Sequence, residues 1–291
     1  MDRGTRLRAL LREPGLIVAP GASTPLLARL VELAGFPVVY ATGAGVANMN
    51  FGYPDVGLVG MGESLEIMRR INDAVQCPVI ADVDNGFGNA LMVYRTVRAF
   101  SACGLAGLQL EDQRLPKRCG HFSGKALVST AEMLGKIRAA RDAMLHDAVL
   151  VARTDAIAVE GVEAALERAH AYLEAGADML FVEAPRTREE LAAIPRRVPG
   201  LHIANMVEGG ATPLCANTEL AGMGYKLVLY ANAPLKAALK GTQDLLAHLK
   251  AQGTTADAGS LMISMEERNR LTRLPEYRER ESAYRVPDTT A

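Results

Sequence analysis

Short, nearly continuous apolar runs alternate along the chain with longer segments of helical periodicity. Eight runs rich in Val, Ile, Leu and Ala predict β-strands. They lie at residues 16–20, 37–42, 78–84, 107–112, 149–155, 178–184, 202–207 and 225–230. Each run precedes a segment that is typical of a helix. These segments lie at residues 23–35, 62–75, 89–103, 129–146, 162–176, 187–198, 213–222 and 234–251.

Eight strand–helix units in this order predict an α/β protein with a (β/α)8 TIM barrel, because parallel strands covered on both faces are apolar throughout. The alternative is an open doubly wound sheet. The nearest match to its dinucleotide-binding motif, Gly43-Ala44-Gly45-Val46-Ala47-Asn48, lacks the third glycine and opens no obvious helix. We therefore predict a barrel domain at residues 1–251 and a C-terminal helical tail at 252–291. In the tail, residues 263–285 predict a charged amphipathic helix broken by Pro275.

The composition is that of a globular protein, with 49% hydrophobic and 22% charged residues among 291. The formal net charge of −1 lacks the basic excess that nucleic-acid binding needs, so we expect no nucleic-acid partner. No run approaches the roughly 18 to 20 apolar residues of a membrane span, which predicts a cytoplasmic protein without a membrane partner. The four cysteines form no Cys-x-x-Cys pair, which indicates reduced thiols rather than disulfides or a zinc site.

Many polar residues occupy the carboxyl ends of the predicted strands. Since alternate residues of a strand share a face, Asp82 and Asp84 point to the same side, as do Arg153 and Asp155. Glu111 lies on the face that we assign to the barrel interior. Further polar residues at these ends are Tyr40, Thr42, Glu183 and Asn205. Loops and strand ends on this side of a TIM barrel form its active site, so these side chains are candidate functional residues.

Four carboxylates at one rim would repel one another unless a positive charge lies among them. They belong to Asp82, Asp84, Glu111 and Glu183. Oxygen ligands without His or Cys favour a hard divalent cation, which predicts a Mg²⁺ site that could also accept Mn²⁺. The alternative is that each acid is separately paired with a basic residue or caps a helix.

Two connections after predicted strands are long, at residues 43–61 and 113–128. The second contains Pro116-Lys117-Arg118-Cys119-Gly120-His121-Phe122-Ser123-Gly124-Lys125, in which three cations and a histidine surround a thiol. These neighbours favour the thiolate, which predicts an anion-binding loop with Cys119 as a reactive group near neutral pH. Its glycines would let the loop move as a lid. The alternative is a solvated basic loop whose cysteine has no role.

Together these residues resemble the isocitrate lyase and phosphoenolpyruvate mutase superfamily. The resemblance runs from about residue 16 to the tail, and its most specific block is Lys117-Arg118-Cys119-Gly120-His121. It implies a Mg²⁺-dependent barrel that acts on small di- or tricarboxylates and forms a homotetramer whose paired subunits exchange their eighth helix.

The resemblance also implies a role for individual residues. The implied direct metal ligand is Asp82, with metal-bound waters held by Asp84 and Glu111. The implied catalytic residues are Cys119, Arg153 and Tyr40. The implied substrate-binding residues are Thr42, Gly43, Ala44, Asp55, Lys117, Arg118, Gly120, His121, Glu183 and Asn205.

Cys119 disfavours the members of the superfamily that lack it, which include phosphoenolpyruvate mutase and phosphonopyruvate hydrolase. Thr42-Gly43-Ala44 and Leu115-Pro116 are similar to the short-chain branch of 2,3-dimethylmalate lyase rather than to typical methylisocitrate lyases. The expected reaction is retro-aldol cleavage of a substituted malate to pyruvate and a short carboxylate. Alternatives are methylisocitrate cleavage, carboxyvinyl-carboxyphosphonate phosphorylmutase or oxaloacetate acetylhydrolase activity, and a noncatalytic ligand-binding barrel.

Overall fold

A closed barrel of eight parallel strands forms the centre of the computed structural model, which describes residues 2–120, 122 and 124–285. Each strand pairs with the next, and β8 pairs with β1. The strands are β1 Ile17–Ala22, β2 Val39–Ala41, β3 Val79–Asp82, β4 Gly107–Glu111, β5 Val149–Thr154, β6 Met179–Val182, β7 Leu201–Asn205 and β8 Leu227–Tyr230. The predicted TIM barrel is confirmed.

All eight predicted helical segments are present in the structure. The helices are α1 Arg3–Arg12, α2 Pro25–Leu33, α3 Gly43–Val46, α4 Met61–Ala74, α5 Ala90–Ala102, α6 Thr130–Ala143, α7 Val162–Glu174, α8 Arg188–Arg197, α9 Asn217–Met223, α10 Ala233–Gln252, α11 Met265–Leu271 and α12 Leu274–Ala283. None of the helices within the described residues is long and apolar enough to cross a membrane.

Strand alternation divides the barrel core into two layers. Ile80, Val151 and Phe181 point inward, where they pack with Leu7 of α1 at the amino end of the barrel. Leu108 and Leu110 of β4 instead pack outward beneath the helices. The prediction that Glu111 faces the interior is therefore correct, and the polar ends of the strands lie above this apolar layer.

Some strands end earlier than the apolar pattern predicts. β3 was expected to reach Asp84 but ends at Asp82. Asp84 has a left-handed backbone with φ 48°, and its N–H donates to Asp82 Oδ1 over 3.0 Å. The Asp84 N–H is thus used by a local side-chain contact, although the Asp84 carbonyl still accepts the Glu111 N–H at 2.9 Å.

Two helical predictions need correction. The segment after β2 does open a helix: Thr42 caps α3, its hydroxyl accepting the N–H of Gly45 at 3.3 Å, and a π-helical turn follows. In the tail, the break between α11 and α12 comes at Arg273, which has a left-handed backbone. Pro275 lies in the first turn of α12, where its missing N–H costs nothing.

The chain divides into two compact units, one ending at Leu235 and the other beginning at Lys236. The predicted boundary at residue 251 stays a prediction. The second unit contains most of α10 together with α11 and α12, and His248 bonds Asp257 within it over 2.9 Å.

Candidate active site

Asp82 lies at the floor of the site, where β3 ends. Its Oδ1 accepts a hydrogen bond from Gln109 Nε2 at 3.2 Å, and Gln109 Oε1 accepts one from the Tyr40 hydroxyl at 2.8 Å. Burial raises the pKa of Tyr40 well above its ordinary value, and the negative charge of Asp82 raises it further. Tyr40 is therefore a protonated hydrogen-bond donor at neutral pH.

Lys117 places a positive charge among the acids of β3 and the loop after β2. Its ammonium group bonds Asp55 and lies 2.6 Å from Asp84 Oδ1. Burial raises the pKa of Asp84 to about 6, although the nearby Lys117 opposes that shift. Burial would also lower the pKa of Lys117, but its acidic neighbours hold that pKa well above the ordinary value. This lysine is thus charged and neutralises part of the acid cluster.

Arg153 of β5 lies between three carboxylates. It donates to Asp155 through Nε at 2.9 Å and Nη2 at 3.0 Å. The distances from its guanidinium to Glu111 Oε2 and to Glu183 Oε2 are both 3.4 Å. Glu183 also accepts a 3.4 Å hydrogen bond from Asn205 Nδ2. These contacts fix a permanent positive charge at the centre of the barrel mouth.

The segment that carries Cys119 is held over this rim by backbone contacts. The Cys119 N–H donates to the Asp55 carbonyl at 3.0 Å, and Gln113 exchanges two hydrogen bonds with the Arg118 backbone, at 2.8 and 2.9 Å. Gly120 lies so close to Arg153 and Glu183 that a Cβ there would come within 2.4 Å of Arg153 Nη2. Only glycine fits at this position.

A small cavity of about 30 Å³ brings together most of the predicted site residues. It is lined by Tyr40, Thr42, Ala44, Asp55, Asp82, Glu111, Lys117, Arg118, Cys119, Gly120, Arg153, Glu183 and Asn205, together with Val207, Ala231 and Asn232. Gly43 and Asp84 lie immediately behind the lining, since a Cβ on Gly43 would be 3.0 Å from Asp82 Oδ2 and 3.3 Å from Asp84 Oδ1. The remaining predicted residue, His121, lies outside the described residues.

A second cavity of about 350 Å³ adjoins the first. The two share five lining residues, Ala44, Asp55, Cys119, Val207 and Asn232. The larger cavity is also lined by Asn48, Pro54, Phe122, Glu208, Gly209 and Gly210. The polar cavity holds little more than one water-sized group, so the remainder of a larger ligand would extend into the second cavity.

Three residues that organise the site have no role among those that the family resemblance implies. Gln109 joins Tyr40 to Asp82, and Asp155 joins Arg153 to Lys125, whose ammonium lies 2.8 Å from Asp155 Oδ1. Strand alternation places Gln109 on the face of Glu111 and Asp155 on the face of Arg153, but it does not indicate these contacts. No sequence signal marks the contact of Lys125, since it spans thirty positions of the chain.

The residues fit a divalent cation that is held partly through water. Glu111 Oε1 is buried and has no hydrogen-bond partner among the described residues. Burial raises the pKa of Glu111 well above its ordinary value although Arg153 lowers it, so a further nearby cation would favour the ionised form. Within residues 2–120, 122 and 124–285, no three acidic, imidazole or thiol groups converge as a complete site. This agrees with Mg²⁺, which takes one or two carboxylates and keeps several waters.

Residues 7–250 match the family described as phosphoenolpyruvate phosphomutase. The chain belongs to this family. It is 45% identical over 285 residues to 2,3-dimethylmalate lyase of Eubacterium barkeri, which covers 98% of this chain and 99% of the relative. It is 42% identical over 254 residues to 2-methylisocitrate lyase of Aeropyrum pernix, covering 87% and 82%.

Solved structures of this family are similar over the whole chain. A 2,3-dimethylmalate lyase, described as a PEP mutase/isocitrate lyase superfamily member, superposes with a TM-score of 0.92 at 33% identity, covering 100% of this chain and 98% of that chain. A phosphonopyruvate hydrolase in complex with oxalate and Mg²⁺ gives a TM-score of 0.88 at 32% identity, covering 98% and 99%. The superfamily membership that the motifs imply is confirmed.

Proposed function

We propose that this family member is a Mg²⁺-dependent carbon–carbon lyase that cleaves a 2,3-dimethylmalate-like substrate to pyruvate and a short carboxylate. The observation that carries the proposal is the meeting of Asp82, Glu111, Arg153 and Cys119 around one small polar cavity. The relatives support it, since two that cover most of the chain are named as lyases of substituted hydroxy acids.

The oxo-acid half of the substrate would lie against the strand ends. Thr42, Gly43 and Ala44 would hold its C1 carboxylate, and Asp82 would hold Mg²⁺ directly, with Asp84 and Glu111 acting through water. When bound, Mg²⁺ supplies a Lewis acid that stabilises negative charge on oxygen atoms of the substrate. Tyr40 would line this half, where its raised pKa keeps the hydroxyl protonated and its proton is donated to Gln109.

Cleavage breaks the C2–C3 bond: the C2 hydroxyl would give its proton through water to the Asp84 or Glu111 carboxylate, and C2 becomes the keto carbon of pyruvate. The bonding electron pair stays with the C3 fragment, which leaves as an enolate-like carboxylate dianion. Arg153, Lys117 and Arg118 would stabilise that charge in a site with little room for water. Cys119, as a thiol, would donate the proton to C3, giving propionate from 2,3-dimethylmalate.

The larger cavity favours an alkyl-substituted dicarboxylate over a tricarboxylate. Ala44, Pro54, Phe122 and Val207 give it an apolar wall, and none of the described residues that line it is positively charged. A third carboxylate placed there would approach the carboxylate of Glu208, and like charges repel one another in a partly buried site. A methyl group on C3 would instead bury apolar surface.

A substrate comparison tests the proposal. We expect the purified protein with Mg²⁺ to release pyruvate from 2,3-dimethylmalate with a higher kcat/KM than from 2-methylisocitrate, measured by coupling to lactate dehydrogenase. Carboxyphosphonoenolpyruvate serves as the probe of the phosphorylmutase alternative, and oxaloacetate as that of the acetylhydrolase. Absence of pyruvate from both malates would contradict the lyase function, and preference for 2-methylisocitrate would contradict the dicarboxylate assignment.

Gly120→Ala is expected to lower kcat/KM about 100-fold, because displacing catalytic groups by about 1 Å has an effect of that size. The added Cβ would lie 2.4 Å from Arg153 Nη2 and 2.8 Å from Glu183 Cγ, so the Cys119 segment must shift. The matched control is Gly135→Ala in α6, where a Cβ meets nothing within 4 Å. Equal activities of the two variants in the same pyruvate assay would contradict the close fit.

We also propose that the chain works in the cytoplasm as a homotetramer that exchanges helices between paired subunits. Along α10, Leu239, Leu246 and Leu249 are spaced to share one face, and 48%, 57% and 40% of their surfaces are exposed in the single chain. A face of this kind favours burial against a second copy.

A further inference from the structure

Lys125 is a buried cation that the proposed chemistry does not use. It lies at the far end of the loop that carries Cys119, and its side chain is 1% exposed. A buried ammonium group is costly unless it is paired and hydrogen-bonded, so its partners indicate why this position carries a charge.

Both partners of Lys125 belong to the candidate site. Its ammonium group donates to Asp155 Oδ1 at 2.8 Å and to the carbonyl of Gly120. Asp155 is fully buried and also binds Arg153 through two hydrogen bonds. Lys125 therefore connects the residue next to Cys119 with the carboxylate that orients Arg153.

Asp155 is held firmly enough to serve as an anchor. Its N–H donates to Asp112 Oδ1 at 3.0 Å, and Asp112 Oδ2 accepts hydrogen bonds from Thr154 at 2.6 Å and from Tyr172 at 2.8 Å. These groups are all buried behind β4 and β5. The Asp155 carboxylate is thus fixed to the barrel wall, whereas Gly120 belongs to a long connection between strand and helix.

The position of Gly120 leaves little freedom. A Cβ there would come within 3 Å of both Arg153 and Glu183, so the backbone of this residue rests directly on their side chains. A change in how Lys125 holds the Gly120 carbonyl would therefore move the neighbouring thiol relative to Arg153.

We propose that Lys125 is a positioning residue. Its ion pair with Asp155 holds the Cys119 segment over the reacting atoms at a fixed distance from Arg153. Lys125 does not touch substrate. It holds the Cys119 thiol on the loop and the Arg153 guanidinium on the barrel in fixed relative positions. Loss of a contact that orients functional side chains typically affects activity 10- to 100-fold.

The test replaces Lys125 by methionine, which keeps a similar length without the charge. We expect kcat for pyruvate release to fall about 10- to 100-fold, with a smaller change in KM. We also expect iodoacetamide to alkylate Cys119 faster in the variant, measured by peptide mass spectrometry from pH 6 to pH 10. The rate on the high-pH plateau is compared, because there the thiol is ionised in both proteins and the rate reports accessibility.

The matched control is Lys226→Met. Lys226 is as little exposed as Lys125, at 9% for each whole residue, and likewise donates to backbone carbonyls, those of Glu13 and Gly15. It lies just before β8, at the amino end of the barrel. We expect this variant to keep the wild-type kcat and the wild-type plateau rate of Cys119.

An unchanged plateau rate in Lys125→Met would overturn the proposal, and so would an equal change in Lys226→Met. If Lys125→Met does not fold, as judged by circular dichroism, Lys125→Gln takes its place with the same expected outcomes. The activity measurement rests on the proposed lyase function, but the alkylation measurement does not. If no substituted malate is cleaved, the proposed lyase function is wrong. The role of Lys125 is then decided by the rate at which Cys119 is alkylated.

Discussion

Replacing Cys119 by serine is expected to lower kcat for pyruvate release by about 10² to 10⁴, the range typical of a lost general acid. A serine hydroxyl is a far weaker acid than a thiol, whose reference pKa is about 8.5, so it transfers a proton to C3 much less readily. The two side chains are close in size, and Cys119 is held through its backbone N–H, so the loop should keep its position.

Stopped turnover with intact binding is the expected signature of this variant. Steady-state assays give kcat, and calorimetric titration with pyruvate in the presence of Mg²⁺ gives the affinity for product. Cys103→Ser is the matched control, because Cys103 is also partly exposed but lies at the end of α5, outside the cavity lining. Undiminished turnover by Cys119→Ser would remove the thiol from the chemistry.

Removal of divalent metal is expected to abolish pyruvate release. Without the metal, burial drives Glu111 toward its protonated form although Arg153 opposes this, and the negative charge that develops on the substrate oxygen loses a stabilising partner. Dialysis against EDTA, followed by titration with Mg²⁺ and separately with Mn²⁺, measures the dependence. Activity should return in proportion to site occupancy.

Asp82→Asn sharpens this experiment because it removes the proposed direct ligand charge while keeping a side chain of the same shape. We expect this variant to need much higher Mg²⁺ for half-maximal activity than the wild type. Glu66→Gln is the control, since Glu66 is an acid on the exposed surface of α4 whose partners are Arg69 and Arg70. Full activity after exhaustive chelation would contradict a metal-dependent lyase.

The order of strands and helices was predictable because each of them depends on the hydrophobic pattern of a short stretch of sequence. Residues 149–152 have no polar face before the polar strand end begins, as expected of a parallel strand covered on both sides, and β5 is buried throughout. The convergence of Asp82, Glu111 and Arg153 followed from alternation along each strand, combined with the rule that barrel sites lie at carboxyl ends.

Contacts between distant side chains were not predictable. Nothing in the sequence near Lys117 indicates that it bonds Asp55, because both residues lie in irregular loops whose paths depend on the packing of the barrel. Short helices were missed for a related reason. α3 has only four residues, too few for a hydrophobic period, and its start depends on the side-chain cap from Thr42.

The thiol of Cys119 comes from a loop, whereas the carboxylates and Arg153 come from the strand ends. A donor placed in this way reaches the leaving fragment from one direction, so C3 receives its new hydrogen on a single face. In propionate this carbon becomes a CH2 group, so the choice of face shows only when the two hydrogens differ in isotope. Turnover in D2O would then place deuterium at one of the two prochiral positions rather than at both.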